Sequence, residues 1–142
     1  MISTLATDLL TKLKTITAFG TAPSRVGLTI GGKTLDPIME NIAKPACWVI
    51  FTGDTNGNQN KLPSTCNKEL TYTFIIKIVI DYKTDNDLIT NQFPVLEQTV
   101  SALHGTKVGS TFNQWRYIGQ VVEEITDKRV VFNQTYTIVT NS

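Results

Sequence analysis

Between Leu70 and Asp81 every even-numbered residue is apolar (Leu70, Tyr72, Phe74, Ile76, Ile78, Ile80), while the odd positions read Thr71, Thr73, Ile75, Lys77, Val79 and Asp81. Side chains of a strand alternate between two faces, so this period predicts a long strand buried completely on one face and mixed on the other. Such a strand needs partners beside it and a layer above it. The rest of the chain must supply both.

Covering elements are legible on either side. Leu5, Leu9, Leu13 and Ile16 recur at spacings of four, four and three, with Thr7, Asp8, Lys12 and Lys14 mostly opposite them. That pattern predicts an amphipathic helix, capped by Ser3 or Thr4 and stopped near Gly20. A second helical stripe runs through Phe93, Leu96, Val100 and Leu103. Because proline fits only the first turn of a helix, Pro94 predicts a start near Gln92, capped by Asn91, with the end at Gly105.

Partner strands flank these helices. Residues 21–45 hold three of the five prolines and predict turns and short extended pieces. "ACWVIF", residues 46–51, reads as a strand and enters a polar loop, Thr52 to Lys68. "WRYIGQVVEE" predicts a strand with Trp115, Tyr117 and Val121 on one side. "RVVFNQTYTIV" predicts another with Phe132, Tyr136 and Ile138 together, the two being joined by the charged turn "ITDKR". The whole of 1–142 therefore reads as a single α+β domain. A largely antiparallel sheet of about four main strands plus a short hairpin carries two helices on one face.

Bulk properties narrow the function. Thirteen Lys plus Arg stand against twelve Asp plus Glu, so no broad field attracts nucleic acid or anionic membrane. No apolar run is long enough to cross a bilayer and the first residues lack signal-peptide features, which predicts a protein made in a cytoplasm. Cys47 and Cys66 are the only cysteines. They read as free thiols if strand 46–51 pairs with the strand from Leu70; they would face each other if it turned back at once.

"GLTIGGKT", residues 27–34, matches the phosphate-loop pattern G-x-x-x-x-G-K-[ST] in spelling, and Asp81 ends an apolar strand as a magnesium-holding aspartate would. A phosphate loop needs a buried strand before it and a helix beginning at its Lys-Thr. Here "FGTAPSR" precedes it and Pro37 follows closely. The stretch reads better as a hairpin turning at Gly31-Gly32, with Ile30 facing Lys33 and Leu28 facing Leu35. The runner-up of another class, a small nucleotide-binding enzyme, rests on this spelling alone.

Other candidate chemistry is sparse. His104 sits at a helix end, where a partly cationic ring suits the carbonyl dipoles, with no recognisable catalytic partner. Glu123, Glu124 and Asp127 could hold a cation but read as solvated charge beside Lys128 and Arg129. The period-two placement of Trp48, Trp115, Tyr117, Phe132 and Tyr136 favours core or interface packing over ligand stacking. No catalytic set, cofactor site or metal site emerges, and the expectation is a protein that is not an enzyme.

The order and pattern of these segments resemble a known family. An N-terminal amphipathic helix, "PACWVIFTG", "YTFIIKIVI", "LEQTVSALHG", "WRYIGQVV" and "VVFNQTYTIV" together are similar to the tail terminator, or tail completion, proteins of long-tailed bacteriophages. The resemblance spans nearly the whole chain, and no single motif within it is diagnostic. It implies a virion protein of the tail neck, assembled in the host cytoplasm. Family members form a ring, usually of six subunits, that caps the tail tube, stops its polymerisation and offers a surface for joining the head.

The implied partners are copies of the chain itself, the tail tube protein and head-tail connector proteins. No membrane and no sequence-specific nucleic acid are expected, although DNA passes through such a ring. A closed ring needs head-to-tail contacts. The candidate contact residues are Gly31, Gly32 and Lys33 in the hairpin, Asp54, Asn56 and Lys61 in the long loop, Lys107 in "GTKVGS", and Asp127, Lys128 and Arg129 in the charged turn. Within the same class, the alternative is another head-tail connector or a baseplate component.

Overall fold

The computed structural model of the chain describes residues 2–20, 24–29, 43–56, 69–109 and 114–141. The alternating run forms β3, Glu69–Asp81. Around it stand β1 (Val26–Thr29), β2 (Ala46–Asn56), β4 (Arg116–Thr126) and β5 (Arg129–Asn141). They make one five-stranded sheet in the order β1-β2-β3-β5-β4. Only β1 pairs in parallel, with β2, and the other neighbours are antiparallel. The α+β class and the largely antiparallel sheet are as the sequence predicts.

Two helices cover the even face of β3, α1 over Ile2–Leu13 and α2 over Phe93–Leu103. Leu5, Leu9 and Leu13 of α1 and Val95, Leu96 and Leu103 of α2 pack into one core with Phe74, Ile76, Ile78, Trp115, Phe132, Tyr136 and Ile138. Each large side chain so buried stabilises the fold by roughly 1.5–3 kcal/mol. Phe74 lies edge-on to Trp115 at 5.7 Å between ring centroids. The Trp115 indole Nε1 donates to Asp8 Oδ2 at 2.8 Å, which meets its polar requirement without breaking the apolar layer. A smaller cluster of Ala46, Trp48, Val79 and Val131 lies on the opposite face of the sheet.

The helix boundaries differ from expectation for identifiable reasons. Ser3 and Thr4 occupy the first turn of α1 instead of preceding it, and a short 3-10 turn, Thr17–Phe19, separates Leu13 from Gly20, whose φ of 85° ends the segment. The second helical stretch begins earlier than Pro94 suggests. One turn at Asp85–Asp87 leads into a π-helical segment, Leu88–Gln92, and then into α2. In the π segment Phe93 N–H reaches back to Leu88 O, so the helical path continues up to Pro94 while that residue still falls in the first turn of α2.

Asn91 is not the cap: its amide donates to Asp87 Oδ1 at 2.8 Å. The cap is Thr84, whose Oγ1 accepts from Asp87 N–H, while Asp87 Oδ2 accepts from Lys83 N–H. This reciprocal arrangement satisfies two otherwise orphaned donors. Thr84→Ala should cost about 1 kcal/mol in urea unfolding.

The Asn91 amide and then the Lys83 N–H hold the Asp87 carboxyl below its ordinary range. A depressed native value means that the carboxylate's contribution is present at neutral pH and is lost as pH falls through that value. Comparing the urea midpoints of the native chain and Asp87→Asn from pH 7 to pH 3 should show a gap that closes only on the acid side.

Elsewhere the strands outrun their predicted lengths. β2 continues past Phe51 through a bulge between Phe51 and Gly53 to pair Asp54 with Tyr72 and Asn56 with Leu70, because the long β3 offers backbone groups to bond. The register sets Ile78 opposite Cys47, which is free and buried. Burial pushes its thiol up, so it stays protonated. Cys66 lies outside the described residues.

Candidate assembly surface

β4 is the edge of the sheet, and among the described residues its outer side has no strand partner. Its burial pattern departs from simple alternation because two bulges interrupt its pairing with β5, between Tyr117 and Gly119 and between Val122 and Glu124. Tyr117 faces Tyr136 on the helix-covered side of the sheet. After the bulge at Ile118, Gln120, Val122 and Ile125 take that side, and Val121 turns to the other, opposite Asn133. Val121 was expected beside Trp115 and Tyr117; the extra residue at 118 inverts it.

The result is an edge strand with apolar side chains in water. Ile118 is 56% exposed, Val121 65%, Val122 49% and Ile125 68%. Val122 sits opposite Phe132, and Phe132 meets Phe93 edge-on at 6.3 Å, so the apolar surface runs from β4 onto the start of α2. Ile89, one turn earlier, is 63% exposed as well. Isolated exposed apolar residues are ordinary, but several along one edge strand, Val121 on one face and Val122 and Ile125 on the other, make that edge a candidate docking surface for another protein.

Beneath this surface a buried side-chain network joins the neighbouring elements. Gln134, fully buried, donates from Nε2 to Leu96 O and to Gln120 Oε1, and accepts at Oε1 from the Tyr136 hydroxyl. Burial and then the neighbouring Tyr117 push the Tyr136 hydroxyl up, which keeps it a donor. This network ties α2, β4 and β5 together from inside the core. On the other face Lys77 reaches across β5 to Glu123 at 2.8 Å.

The contact residues expected from sequence do not converge. Gly31, Gly32, Lys33 and Lys61 lie outside the described residues. Asp54 and Asn56 are on β2, not in a loop, at the sheet end where β3 begins. Asp127 and Lys128 form the β4–β5 turn at the other end, where Arg129, the first residue of β5, pairs with Asp81 of β3. The length of β3 puts these ends roughly 40 Å apart at about 3.3 Å per residue. Lys107 is apart from both, its carbonyl accepting from Lys12 Nζ of α1 at 2.9 Å.

Asp127 and Lys128 are the turn itself, with Lys128 at φ 68°, and the Arg129 guanidinium holds Asp81 by Nε at 2.6 Å and Nη2 at 3.2 Å. Asp81 is thus engaged as an ion-pair partner. Among the described residues no trio of His, Cys, Asp or Glu is placed to hold a metal. His104 is the residue that ends α2, but its ring accepts the Tyr117 N–H at Nδ1, at 3.0 Å. That bond ties the end of α2 to the start of β4.

The phosphate-loop spelling has a structural outcome over its described part. Gly27 to Thr29 lie within β1, and Gly27 pairs with Trp48. A Cβ on Gly27 would stand 3.2 Å from Trp48 Cδ1, which explains the glycine by packing. Gly27→Val should lower stability by about 1–2 kcal/mol in denaturant unfolding, through displacement of the indole. The proposed hairpin partners Ile30, Lys33 and Leu35 lie outside the described residues.

No family model matches the chain, and no curated protein matches it. Among solved structures, it is similar to a chain from the virion of a native gene transfer agent (GTA) particle. The TM-score is 0.60 at 8% identity, over 98% of this chain and 94% of that one. At this identity the likeness is one of fold, and it extends over the two chains almost end to end.

Proposed function

We propose that this chain is a structural protein of a phage-type virion. It closes into a ring through the apolar β4 edge and caps the growing tail tube. The observation that carries the reading is that edge: four exposed apolar side chains on one strand whose outer side, among the described residues, has no strand partner. The fold likeness to a chain of a virion particle supports it from a separate direction. In such a ring each subunit presents β4 to a different patch on its neighbour, since a closed cyclic assembly uses heterologous contacts.

The ring, of six copies by the family resemblance, ends tube polymerisation and gives the neck a surface for joining the head, with DNA passing through its centre. Its partners are other copies, the tube protein and head-tail connector proteins. The role is non-enzymatic and needs no cofactor. A nucleotide-binding role is disfavoured by the placement of Gly27 to Thr29 within an edge strand, where their amides serve a sheet. Another connector or a baseplate component remains the second reading in the assembly class.

Purified tube subunits polymerised with and without the protein test the proposal. Tubes should stop growing at sub-stoichiometric protein, with rings at one end. Unchanged tube lengths and bare ends would remove the terminator reading.

A further inference from the structure

We propose that Gln120 and Gln134 form a register lock that decides which face of the sheet receives Val121 and which receives Val122. The ten residues Tyr117–Thr126 of β4 oppose only eight of β5, Arg129–Tyr136, so two residues are surplus. Both ends of this pairing are fixed by other contacts. At one end the two-residue turn, with Lys128 at φ 68°, sets Thr126 against Arg129. At the other, Tyr117 N–H donates to His104 Nδ1 at 3.0 Å and the Tyr117 ring lies 5.5 Å from that of Tyr136. The ends leave open how the surplus is divided between them.

One surplus residue, Ile118, falls before the run Gly119–Val122, and the other, Glu123, falls after it. That division puts Val121 opposite Asn133 and Val122 opposite Phe132. With both surplus residues on one side of the run, Val121 would stand opposite Gln134 or Phe132, and Val122 opposite Asn133 or Val131. A slip of one residue exchanges the faces of a strand, so the two valines would trade places. Burial does little to choose between these registers, because both side chains are about half exposed or more and each slip replaces one valine by the other.

Gln120 breaks this tie. Its Oε1 accepts from Nε2 of Gln134 at 3.1 Å. Gln134 is fully buried, and its Nε2 also donates to Leu96 O at 3.1 Å. Because a carbonyl only accepts, the amide cannot turn round without setting oxygen against oxygen. Its remaining donor is therefore aimed at β4. In a slipped register Val121 or Gly119 would stand opposite Gln134 and offer that donor no side-chain acceptor, which is costly for a buried group. Lys77 holds Glu123 on the other face, but the Glu123 side chain is 40% exposed, so the ion pair contributes less. Gln120 is thus a positioning residue for the apolar edge. The lock acts in the unassembled chain and holds or fails separately from ring formation.

The test is NMR of the full chain at concentrations where it is unassembled, with the variants Gln120→Glu, Gln120→Lys and Glu123→Gln. Gln120 is exposed, so changing it leaves the core intact, whereas Gln134 also serves Leu96 and Tyr136. Glutamate keeps an acceptor oxygen and lysine has only donors. The native chain and Gln120→Glu should each give one set of signals for residues 118–123, with the Val122 methyls shifted by the Phe132 ring. Gln120→Lys should move the balance of registers about tenfold toward the slipped one, adding a second set in which the Val121 methyls take the ring shift. A single native set in Gln120→Lys, the same second set in Gln120→Glu, or splitting in Glu123→Gln alone would overturn the lock.

Discussion

Replacing Val121 and Ile125 with aspartate should leave a folded monomer that no longer assembles. Both side chains are more than half exposed, so in the isolated chain neither substitution opens a cavity or strands a charge in the core. Stability should stay within about 0.5 kcal/mol for each surface substitution. In the proposed ring the same positions would be covered, where each buried, unpaired carboxylate costs roughly 2 kcal/mol or more. Self-association should therefore weaken by about a hundredfold or more, read by sedimentation at matched concentrations. A variant that assembles normally would show that the edge is not the contact.

Trp115→Ala should have the opposite profile, damaging the fold before any assembly is measured. The indole is 1% exposed, packs edge-on against Phe74 and donates to Asp8 across the join between α1 and the start of β4. Truncation removes the largest fully buried side chain and leaves a cavity that the surrounding sheet and helix cannot close. The expected loss is about 3–5 kcal/mol, a large part of the roughly 5–15 kcal/mol typical of a domain. Trp115→Phe retains most of the packing and loses the hydrogen bond, and should fall between the two. The order of the three unfolding midpoints in urea checks this.

These two outcomes divide β4 between core and surface, and the division shows what was readable from sequence. Regular alternation made β3 legible residue by residue, and the same held for Phe132, Tyr136 and Ile138 on β5, because a sheet buried on one face enforces period two. The α1 stripe was legible for the same reason at period 3.6, whereas on α2 only Leu96 and Leu103 of the expected stripe are buried, with Val95 and Thr99 beside them in place of Phe93 and Val100. What failed was each place where the period breaks. The bulge at Ile118 reversed Val121, and the π segment before α2 carried the helix back past Pro94 to Asp85.

The exposed apolar group on β4 escaped notice in the sequence for this same reason. A search for polar loop residues led to Asp54, Asn56 and the 127–129 turn, whereas the exposed group is apolar and lies on a strand. A signal was present in "IGQVVEEI": adjacent Val121 and Val122 must face opposite sides of a strand, so one of them leaves the core face. Without knowing that β4 is an edge, that pair reads as a strand buried on both faces. The strand order decides the matter, because β5 inserts between β3 and β4 and leaves β4 outermost. Sequence order alone does not disclose that insertion.

The most direct measurement of the central claim is hydrogen exchange along β4 in the free and the assembled protein. If the Arg116–Thr126 edge is the contact between subunits, its outward-facing amides should exchange slowly in the assembly and quickly in the monomer, while the buried ladder of β3 changes little. Assemblies in which the β4 amides exchange as fast as in the monomer would contradict the account.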